Sequence, residues 1–269
     1  MTPVEIVKGE GPVILAQPHS GTFMPPEIVS RLNERGKALA DTDWHVDRLY
    51  DGLLPDATVV RANFHRYAID ANRDPSGASL YPGQNTTGLV PLVDFEGAPI
   101  WTEEPDEDEI DRRRIEFHAA YHLALAAEID RVREAHGVAV LYDCHSIRSQ
   151  LSFLFEGTLP DLNIGTNNGA TCANVLEEAV ADICAASGFS HVVNGRFRGG
   201  WTTRHYGKPE TRVHAIQMEI AQSAYLESET APFAYDEAKA EKLRAVLKEI
   251  LQRINALARD GKLNGADDE

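Results

Sequence analysis

The sequence predicts an α/β protein with a mixed, mostly parallel central sheet and helices on both faces of that sheet. Segments with the apolar pattern of strands alternate with segments that have helical spacing. Several predicted strands end in polar residues, which is typical of parallel sheets that bind ligands beyond the carboxyl ends of their strands. The chain has 269 residues, of which 43% are hydrophobic, so we expect one domain spanning residues 1–269.

The first part of the chain predicts two strands and two helical segments. Residues 12–17 have the pattern of a short buried strand that leads into a polar loop. The segments 25–40 and 43–54 have helical spacing, with proline at a helix start and glycine near each end. Residues 56–63 predict the second strand. Residues 75–102 are rich in glycine and proline, and we expect a long loop that serves as a lid or binding segment.

The second part of the chain predicts the longest helices. Residues 105–137 carry proline and acidic residues at their start and glycine at their end, which favours one long helix. A second helix is predicted over residues 171–188 and a closing helix over residues 235–259. Strands are predicted at residues 138–146, 191–195 and 212–222.

The charge of the chain argues against nucleic acids and anionic membranes as partners. Lysine and arginine number 26 and aspartate and glutamate 42, so the net charge is −16, and both of those partners are polyanions. The acidic excess lies in the stretch 101–111 and in the tail 265–269. A small anionic substrate is still compatible with this composition, because it responds to the local field of a pocket.

The cysteines and the N-terminus predict a cytoplasmic protein. Cys144, Cys172 and Cys184 have no CxxC spacing and form no even framework, which favours a reducing compartment. The N-terminal residues lack the basic region and the long apolar core of a signal peptide. No apolar run approaches the roughly 20 residues that a membrane span needs.

The polar residues at the strand ends predict a metal site. His19 follows the first predicted strand and His145 ends the third, so both imidazoles are expected at one edge of the sheet. A hydrolytic zinc site commonly has three protein ligands, often two histidines and a carboxylate. Asp43 is the preferred carboxylate, and Asp41 and Asp47 are alternatives, although aspartates here could also cap the next helix. Asp143 is expected to orient the imidazole of His145.

Glu219 is the candidate general base. It lies within a predicted strand between Met218 and Ile220, where a carboxylate is costly unless it is paired or functional. Burial would raise its pKa toward the range that a general base needs. We expect Glu219 to take a proton from the attacking water and to protonate the leaving amine.

Two segments are rich in arginine and could bind an anion. Residues 66–74, RYAIDANRD, follow a predicted strand, and a plain turn is the alternative interpretation. In residues 194–209, NGRFRGGWTTRHYGKP, Arg198 and Arg204 are candidates for substrate binding, and Gly199 with Gly200 would allow close backbone approach. His118 and His122 are spaced by four residues on the long helix. No HExxH pattern accompanies them, so we interpret them as residues of the helix face rather than metal ligands.

Taken together, the motifs ILAQPHSG, DTDWHVDRLYD, RYAIDANRD, LYDCHS, FRGGWTTRHYG and HAIQMEI resemble those of the N-formylglutamate amidohydrolase (N-formylglutamate deformylase) family, from about residue 5 to residue 255. That family is related to the zinc carboxypeptidases and to the aspartoacylase/succinylglutamate desuccinylase group. The resemblance implies a phosphorylase/hydrolase-like three-layer fold with one Zn²⁺ per chain, although nickel, iron or cobalt could occupy a similar site.

The resemblance implies a role for each matching residue. His19 and His145 match the two histidine ligands, and Glu219 matches the catalytic glutamate. Arg66, Asn72 and Arg73 match the segment that binds the substrate carboxylate, and Asp70 and Asp74 are expected to orient these side chains. The relatives place the acidic ligand three residues after the first histidine, where this chain has Thr22. The carboxylate must therefore come from elsewhere, which leaves Asp43 as the preferred choice.

The implied reaction is the hydrolysis of N-formyl-L-glutamate to L-glutamate and formate, a late step of histidine degradation. A small anionic N-acyl amino acid is thus the expected substrate. A deacylase acting on another N-acyl amino acid is one alternative, and a non-enzymatic domain that binds metal or amino acids is another. The residues predict no particular oligomeric state.

Overall fold

A computed structural model describes residues 2–264; the acidic tail 265–269 lies outside the described residues. The strands are β1 Val4–Val7, β2 Val13–Gln17, β3 Thr58–Ala62, β4 Ala139–Ile147, β5 Leu162–Gly165, β6 His191–Val193 and β7 Val213–Ala221. The α-helices are α1 Pro26–Val29, α2 Glu34–Lys37, α3 Val46–Tyr50, α4 Glu107–Arg113, α5 Ala120–His136, α6 Asn174–Ala186, α7 Trp201–Tyr206 and α8 Glu237–Arg259. A π-helical segment, Arg114–Ala119, joins α4 to α5.

The strands form one sheet of seven in the order β1-β3-β2-β4-β7-β5-β6. The four central strands β3, β2, β4 and β7 run parallel to one another. The edge strand β1 runs antiparallel to β3, and β5 runs antiparallel to β7. The predicted mixed, mostly parallel sheet is therefore confirmed, and the carboxyl ends of four neighbouring strands meet at one edge.

Alternating side chains of the central strands build two hydrophobic cores, one on each face of the sheet. Leu15, Tyr142 and Ile216 pack in a core that also contains buried residues of α3, α6 and α8. Their chain neighbours Ile14, Leu141 and Ala215 pack in the other core, which contains buried residues of α5. This period of two produces the predicted three-layer arrangement, with helices on both faces.

Several elements differ from the sequence prediction. The segment 25–40 contains two one-turn helices instead of one helix, and the helix predicted over 43–54 is limited to α3. His45 precedes α3 in the left-handed conformation, with φ 59°, so the chain turns there instead of continuing as a helix. The strands β1 and β5, each of four residues, were not predicted. The helix α7 lies within the arginine-rich segment 194–209, for which no helix was predicted.

Residues 75–102 lack regular helix and strand apart from isolated bridges, in agreement with the predicted long loop. Among residues 2–264, none of the helices combines the length and the apolar character that crossing a bilayer requires.

Candidate active site

The parallel register of the sheet brings three of the predicted site residues together. In the ladder between β4 and β7, His145 lies directly opposite Glu219 and Asp143 lies opposite Gln217. Paired residues of neighbouring strands project from the same face, so these four side chains lie together on the face that α5 covers. His19 follows the end of β2, the neighbour of β4 on the other side.

The buried side chains of His19, Asp43 and His145 form a cluster whose potential ligand atoms all lie within 4.8 Å of one another. The two Nδ1 atoms are 3.2 Å apart. Asp43 Oδ2 lies 3.3 Å from Nδ1 of His145 and 3.8 Å from Nδ1 of His19. Asp43 reaches this position because the turn before α3 folds back against β2, where its backbone N–H donates to the carbonyl of His19.

The Nε2 atom of each histidine faces a second set of polar groups. His19 Nε2 donates to Asp70 Oδ1 at 2.7 Å, which leaves the lone pair of His19 on Nδ1. His145 Nε2 lies 3.0 Å from Asp143 Oδ1 and 3.1 Å from Asn72 Nδ2. Asp143 Oδ1 is buried and has no hydrogen-bond partner among residues 2–264. Asp143 Oδ1 can accept a hydrogen bond from His145 Nε2 when that nitrogen is protonated. When Nε2 is unprotonated, it can accept a hydrogen bond from Asn72 Nδ2.

The surroundings of this cluster favour a positive charge between the two rings. Burial opposes charging of His145, but the carboxylates of Asp143 and Asp43 outweigh it and hold the pKa of His145 well above its usual range. Burial, helped by the charge of Arg66, lowers the pKa of His19 to about 4, so this ring is neutral and presents a free lone pair.

The residues present fit a divalent metal ion. Two imidazoles and one carboxylate form a donor set that is common in catalytic zinc sites. The hydrogen bond to Asp70 leaves the lone pair of His19 Nδ1 free for a metal ion. Asp143 can orient the ring of His145 in the same way, because its Oδ1 lacks a hydrogen-bond partner among the described residues. Metal binding by His19, Asp43 and His145 stays a prediction.

The alternative carboxylates lie elsewhere. Asp41 is buried, but it accepts hydrogen bonds from Tyr67 Oη, the backbone N–H of Phe95 and Arg148 Nη2. Both carboxylate oxygens of Asp41 therefore accept hydrogen bonds that connect the turn before α3 to other loops. Asp47 is half-buried in α3 and does not belong to the cluster of potential ligands. Neither aspartate caps α3, whose N-cap is His45.

Glu219 is buried on β7 with 7% of its surface exposed. Burial raises the pKa of Glu219 to about 8. The negative charges of Asp43 and Asp143 add to this effect, and the positive charges of His145 and Arg66 oppose it. Gln217 Nε2 donates to Glu219 Oε2 at 3.1 Å, while Gln217 Oε1 accepts from the backbone N–H of Gly200 at 2.7 Å. Gln217 therefore connects the carboxyl group to the loop before α7. Sequence reasoning missed it, although its position two residues before Glu219 on a strand predicts a shared face.

A cavity of about 570 Å³ opens over Glu219 and the two histidines. Its polar wall includes three arginines, Arg66, Arg73 and Arg196, and its apolar wall includes Phe95, Ile147, Leu154 and Phe197. Asn72, Tyr81, Thr86, Thr87, Ser146, Gly200 and Gln217 complete the lining. Residues from the long 75–102 loop thus border the cavity, as expected for a binding segment.

The segment 66–74 reaches the cavity through Arg66, Asn72 and Arg73. Arg66 is buried, forms an ion pair with Asp43, and lies 3.9 Å from Asp70 Oδ2. Arg73 donates from Nε and Nη2 to the carbonyl and hydroxyl of Thr87, both at 2.9 Å. Asp70 lies 3.5 Å from Arg73 Nη1, so it contacts both arginines as well as His19.

His118 and His122 lie on a face of the long helix, as predicted, and both are buried. His118 Nε2 donates to the carbonyl of Arg73 at 2.9 Å, and His122 Nε2 donates to the carbonyl of Ala71 at 2.7 Å. They therefore hold the backbone on both sides of Asn72 against α5, and neither belongs to the cluster of potential metal ligands. The π-helical segment, which contains His118, is a local widening of a kind that often occurs near functional sites.

Arg198 and Arg204 lie outside the cavity lining, and Arg196 lies in it instead. Arg198 is exposed and donates from Nε to the carbonyl of Gly195 at 3.3 Å. Arg204 donates to the carbonyl of Gly199 at 2.9 Å, and its guanidinium carbon lies 5.0 Å from the centre of the Tyr81 ring. The sequence predicted that this segment binds substrate, but it did not show that Arg196, and not Arg198 or Arg204, lines the cavity.

Gly200 provides the close backbone approach that the sequence suggested. A Cβ atom at this position would lie 2.2 Å from Asn72 Nδ2 and 2.5 Å from Asn72 Oδ1. Asn72 Oδ1 accepts from the backbone N–H of Thr202 at 2.8 Å, while Nδ2 faces His145. The glycine thus lets the start of α7 hold the side chain of Asn72 against the histidine.

Comparison with known proteins finds relatives that match most of the chain. The family model for N-formylglutamate amidohydrolase matches residues 11–226. The N-formylglutamate deformylase of Pseudomonas putida is 46% identical over 253 residues, covering 93% of this chain and 94% of that protein. The N-formylglutamate deformylase of Pseudomonas aeruginosa is 44% identical over 257 residues, covering 94% and 96% of the two chains.

Solved structures share the fold. The crystal structure of N-formylglutamate amidohydrolase from Ralstonia eutropha JMP134 aligns with a TM-score of 0.81 at 26% identity, covering 97% of this chain and 100% of that one. A gene product from Agrobacterium tumefaciens aligns with a TM-score of 0.73 at 19% identity, covering 94% of each chain, which supports the fold alone. The family match extends over the strands β2 to β7 and the histidine cluster, the two Pseudomonas relatives cover more than nine-tenths of the chain, and the chain belongs to the N-formylglutamate amidohydrolase family.

Proposed function

We propose that this protein hydrolyses N-formyl-L-glutamate to L-glutamate and formate with the help of one bound divalent metal ion, preferably Zn²⁺. The observation that carries the proposal is the position of Glu219 beside His145 in a cavity whose wall contains three arginines. A base beside a potential metal site suits amide hydrolysis, and the arginines suit a substrate with two carboxylates. The names and identities of the two Pseudomonas relatives support the same substrate.

His19, Asp43 and His145 would hold the metal. When bound, the ion would polarise the formyl group and make water more acidic. Asp70 and Asp143 would orient the two imidazoles through their Nε2 atoms, and Arg66 would fix Asp43 through their ion pair.

Glu219 would act as the general base and then as the general acid. Burial raises the pKa of Glu219 to about 8, so its carboxyl group holds a proton more readily than a solvent-exposed glutamate. It can take a proton from the attacking water and return it to the nitrogen of the departing glutamate, where an uncharged amine must leave. Gln217 would keep one carboxylate oxygen in place during both transfers.

Arg66, Asn72 and Arg73 would bind and orient the substrate. Arg66 lines the cavity beside Asp43, so its guanidinium can contact a substrate oxygen there. Arg73 is held by Thr87 with its charge only partly balanced by Asp70, which suits binding of the substrate carboxylate next to the amide. Fixing that carboxylate would place the formyl group over the metal and Glu219.

The proposal is tested by measuring formate released from N-formyl-L-glutamate, together with the metal content of the protein, before and after chelation. We expect release that requires the metal and returns when Zn²⁺ is added back. N-acetyl- and N-succinyl-L-glutamate should react more slowly, and faster hydrolysis of the acetyl compound would instead favour a deacylase. Binding of glutamate without any hydrolysis would favour the non-enzymatic alternative. A cytoplasmic location, predicted from the cysteines and the N-terminus, and a place in histidine degradation, implied by the resemblance, stay predictions.

A further inference from the structure

Arg196 lines the same cavity as Glu219 but lies outside the motif that was expected to bind the substrate carboxylate. Its Nε donates to the carbonyl of Leu154 at 2.9 Å, and its Nη2 donates to the carbonyl of Asn85 at 3.0 Å. Its guanidinium carbon lies 5.4 Å from the ring centre of Tyr81 and 5.3 Å from that of Phe197. The guanidinium is therefore held rigidly between three loops by uncharged groups.

Unlike the other two arginines of the cavity, Arg196 has no ion-pair partner among the described residues. Arg66 forms an ion pair with Asp43, and Arg73 lies 3.5 Å from Asp70. No carboxylate among the described residues lies within 4.0 Å of Arg196, and its Nη1 makes no hydrogen bond to any of residues 2–264. Burial lowers the pKa of Arg196 and the nearby charge of Arg73 adds to this effect, while Tyr81 and Glu219 oppose it. A half-buried cation with a free N–H group at a cavity wall favours an anionic ligand.

The wall around Arg196 suits a short methylene chain that ends in a carboxylate. Leu154 and Phe197, which pack with Phe95 and Ile147 in a small apolar cluster, line the cavity beside it. Arg73, which we expect to bind the carboxylate next to the amide, also lines the cavity, so a substrate with two carboxylates can meet one arginine with each.

We propose that Arg196 binds the side-chain carboxylate of the substrate and selects N-formyl amino acids with an acidic side chain over those with a neutral one. The inference rests on the proposed function and deepens it. The side-chain carboxylate would accept a hydrogen bond from Arg196 Nη1, while Leu154 and Phe197 would contact the methylene groups. An amide in place of that carboxylate would leave the charge of Arg196 unpaired.

The experiment compares N-formyl-L-glutamate with N-formyl-L-glutamine, which differs only in replacing the carboxylate by an amide. The wild-type protein should prefer the glutamate compound by about 100-fold in kcat/KM. Arg196→Gln should lower kcat/KM for N-formyl-L-glutamate by about 100-fold, mainly through a higher KM, and should change it for N-formyl-L-glutamine by less than about threefold. Arg196→Lys keeps the charge but lacks the planar guanidinium, so its kcat/KM for N-formyl-L-glutamate should lie between those of the wild type and Arg196→Gln.

Arg253→Gln serves as a control for the loss of one positive charge, because Arg253 is exposed on α8 and does not line the cavity. Equal loss on both substrates in Arg196→Gln would overturn the proposal, since it would indicate a purely structural role in joining the loops. If Arg196→Gln does not fold, Arg196→Lys and product binding provide the test: wild-type protein that binds L-glutamate and L-glutamine equally in calorimetry would contradict the inference.

Failure of the proposed function has a different signature. Wild-type protein that releases no formate from either substrate would contradict the proposed reaction. Weaker binding of L-glutamate by Arg196→Lys, with unchanged binding of L-glutamine, would still support the carboxylate site.

Discussion

The Nδ1 atoms of His19 and His145 face each other at 3.2 Å inside a cluster of carboxylates. His19 uses its Nε2 proton on Asp70, so its Nδ1 can only accept, and the proton between the rings must belong to His145. The carboxylates that raise the pKa of His145 well above its usual range stabilise this proton against the cost of burial. The space between the two Nδ1 atoms, which favours a proton, also suits a metal cation, and the metal would replace that proton.

Metal binding should therefore release a proton. We expect about one proton per chain to be released at pH 7 when Zn²⁺ is added to metal-free protein, because the doubly protonated ring of His145 must free Nδ1. Titration calorimetry in buffers with different ionisation enthalpies measures this number. Asp43→Asn should weaken Zn²⁺ binding by at least about tenfold, whereas Asp47→Asn should leave it nearly unchanged. Equal effects of the two substitutions would contradict the choice of Asp43.

Glu219→Gln should separate activity from stability. The substitution removes the base, so we expect formate release to fall by about 1,000-fold. The folded pKa of Glu219, about 8, is above its ordinary value of 4.5, so between these two pH values the folded protein keeps a proton that the unfolded chain loses, and stability falls as the pH rises. The neutral glutamine avoids this loss, and the metal-free variant should exceed the wild type in free energy of unfolding by more than about 1 kcal/mol at pH 8.

Urea unfolding of the two metal-free proteins at pH 8 and pH 5 measures the difference. The difference in free energy of unfolding between the variant and the wild type should be smaller at pH 5. At that pH the Glu219 carboxyl group of the wild type is protonated in the folded state and partly protonated in the unfolded state. A variant that is less stable than the wild type at pH 8, or that keeps most of the activity, would rule out this role for Glu219.

His122 should make the protein sensitive to acid. Burial lowers the pKa of His122 to about 3 from an ordinary value of 6.5, so below pH 6.5 the unfolded chain binds a proton that the folded protein does not. Stability is therefore lost as the pH falls through this window, by about 2 kcal/mol between pH 7 and pH 5 for this group. His122→Gln can still donate to the carbonyl of Ala71 but does not titrate. Its stability deficit at pH 7, measured in urea, should shrink by about this amount at pH 5, and a deficit independent of pH would exclude the effect.

Gly200→Ala should lower activity without unfolding the protein. The added Cβ would lie within 2.6 Å of three atoms of the Asn72 side chain, so Asn72 must move away from His145. We expect kcat/KM for N-formyl-L-glutamate to fall by at least about tenfold. Gly88→Ala is the matched control, because the nearest atom that its Cβ would meet, apart from chain neighbours, is 3.8 Å away. Comparable losses in both variants would indicate a general sensitivity of the loops instead.

The class of fold and the two histidines of the cluster could be predicted from the amino-acid sequence. Apolar runs followed by polar residues predicted the strands β2, β4 and β7, because buried parallel strands need continuous apolar side chains and deliver their polar ends to one edge. His19, His145 and Glu219 could be selected for the same reason. The short strands β1 and β5 could not, since each has only four residues and is stabilised by pairing with distant segments.

Which of several similar residues face the cavity depends on tertiary contacts that the sequence pattern does not show. Asp41 and Asp43 are two residues apart and equally acidic, but Asp43 meets the histidines while Asp41 is engaged by Tyr67, Phe95 and Arg148. Arg196 and Arg198 likewise stand in one loop, and only Arg196 lines the cavity. In a turn or loop, side-chain direction follows from backbone angles and contacts with segments far away in the chain, and these have no periodic pattern in the sequence.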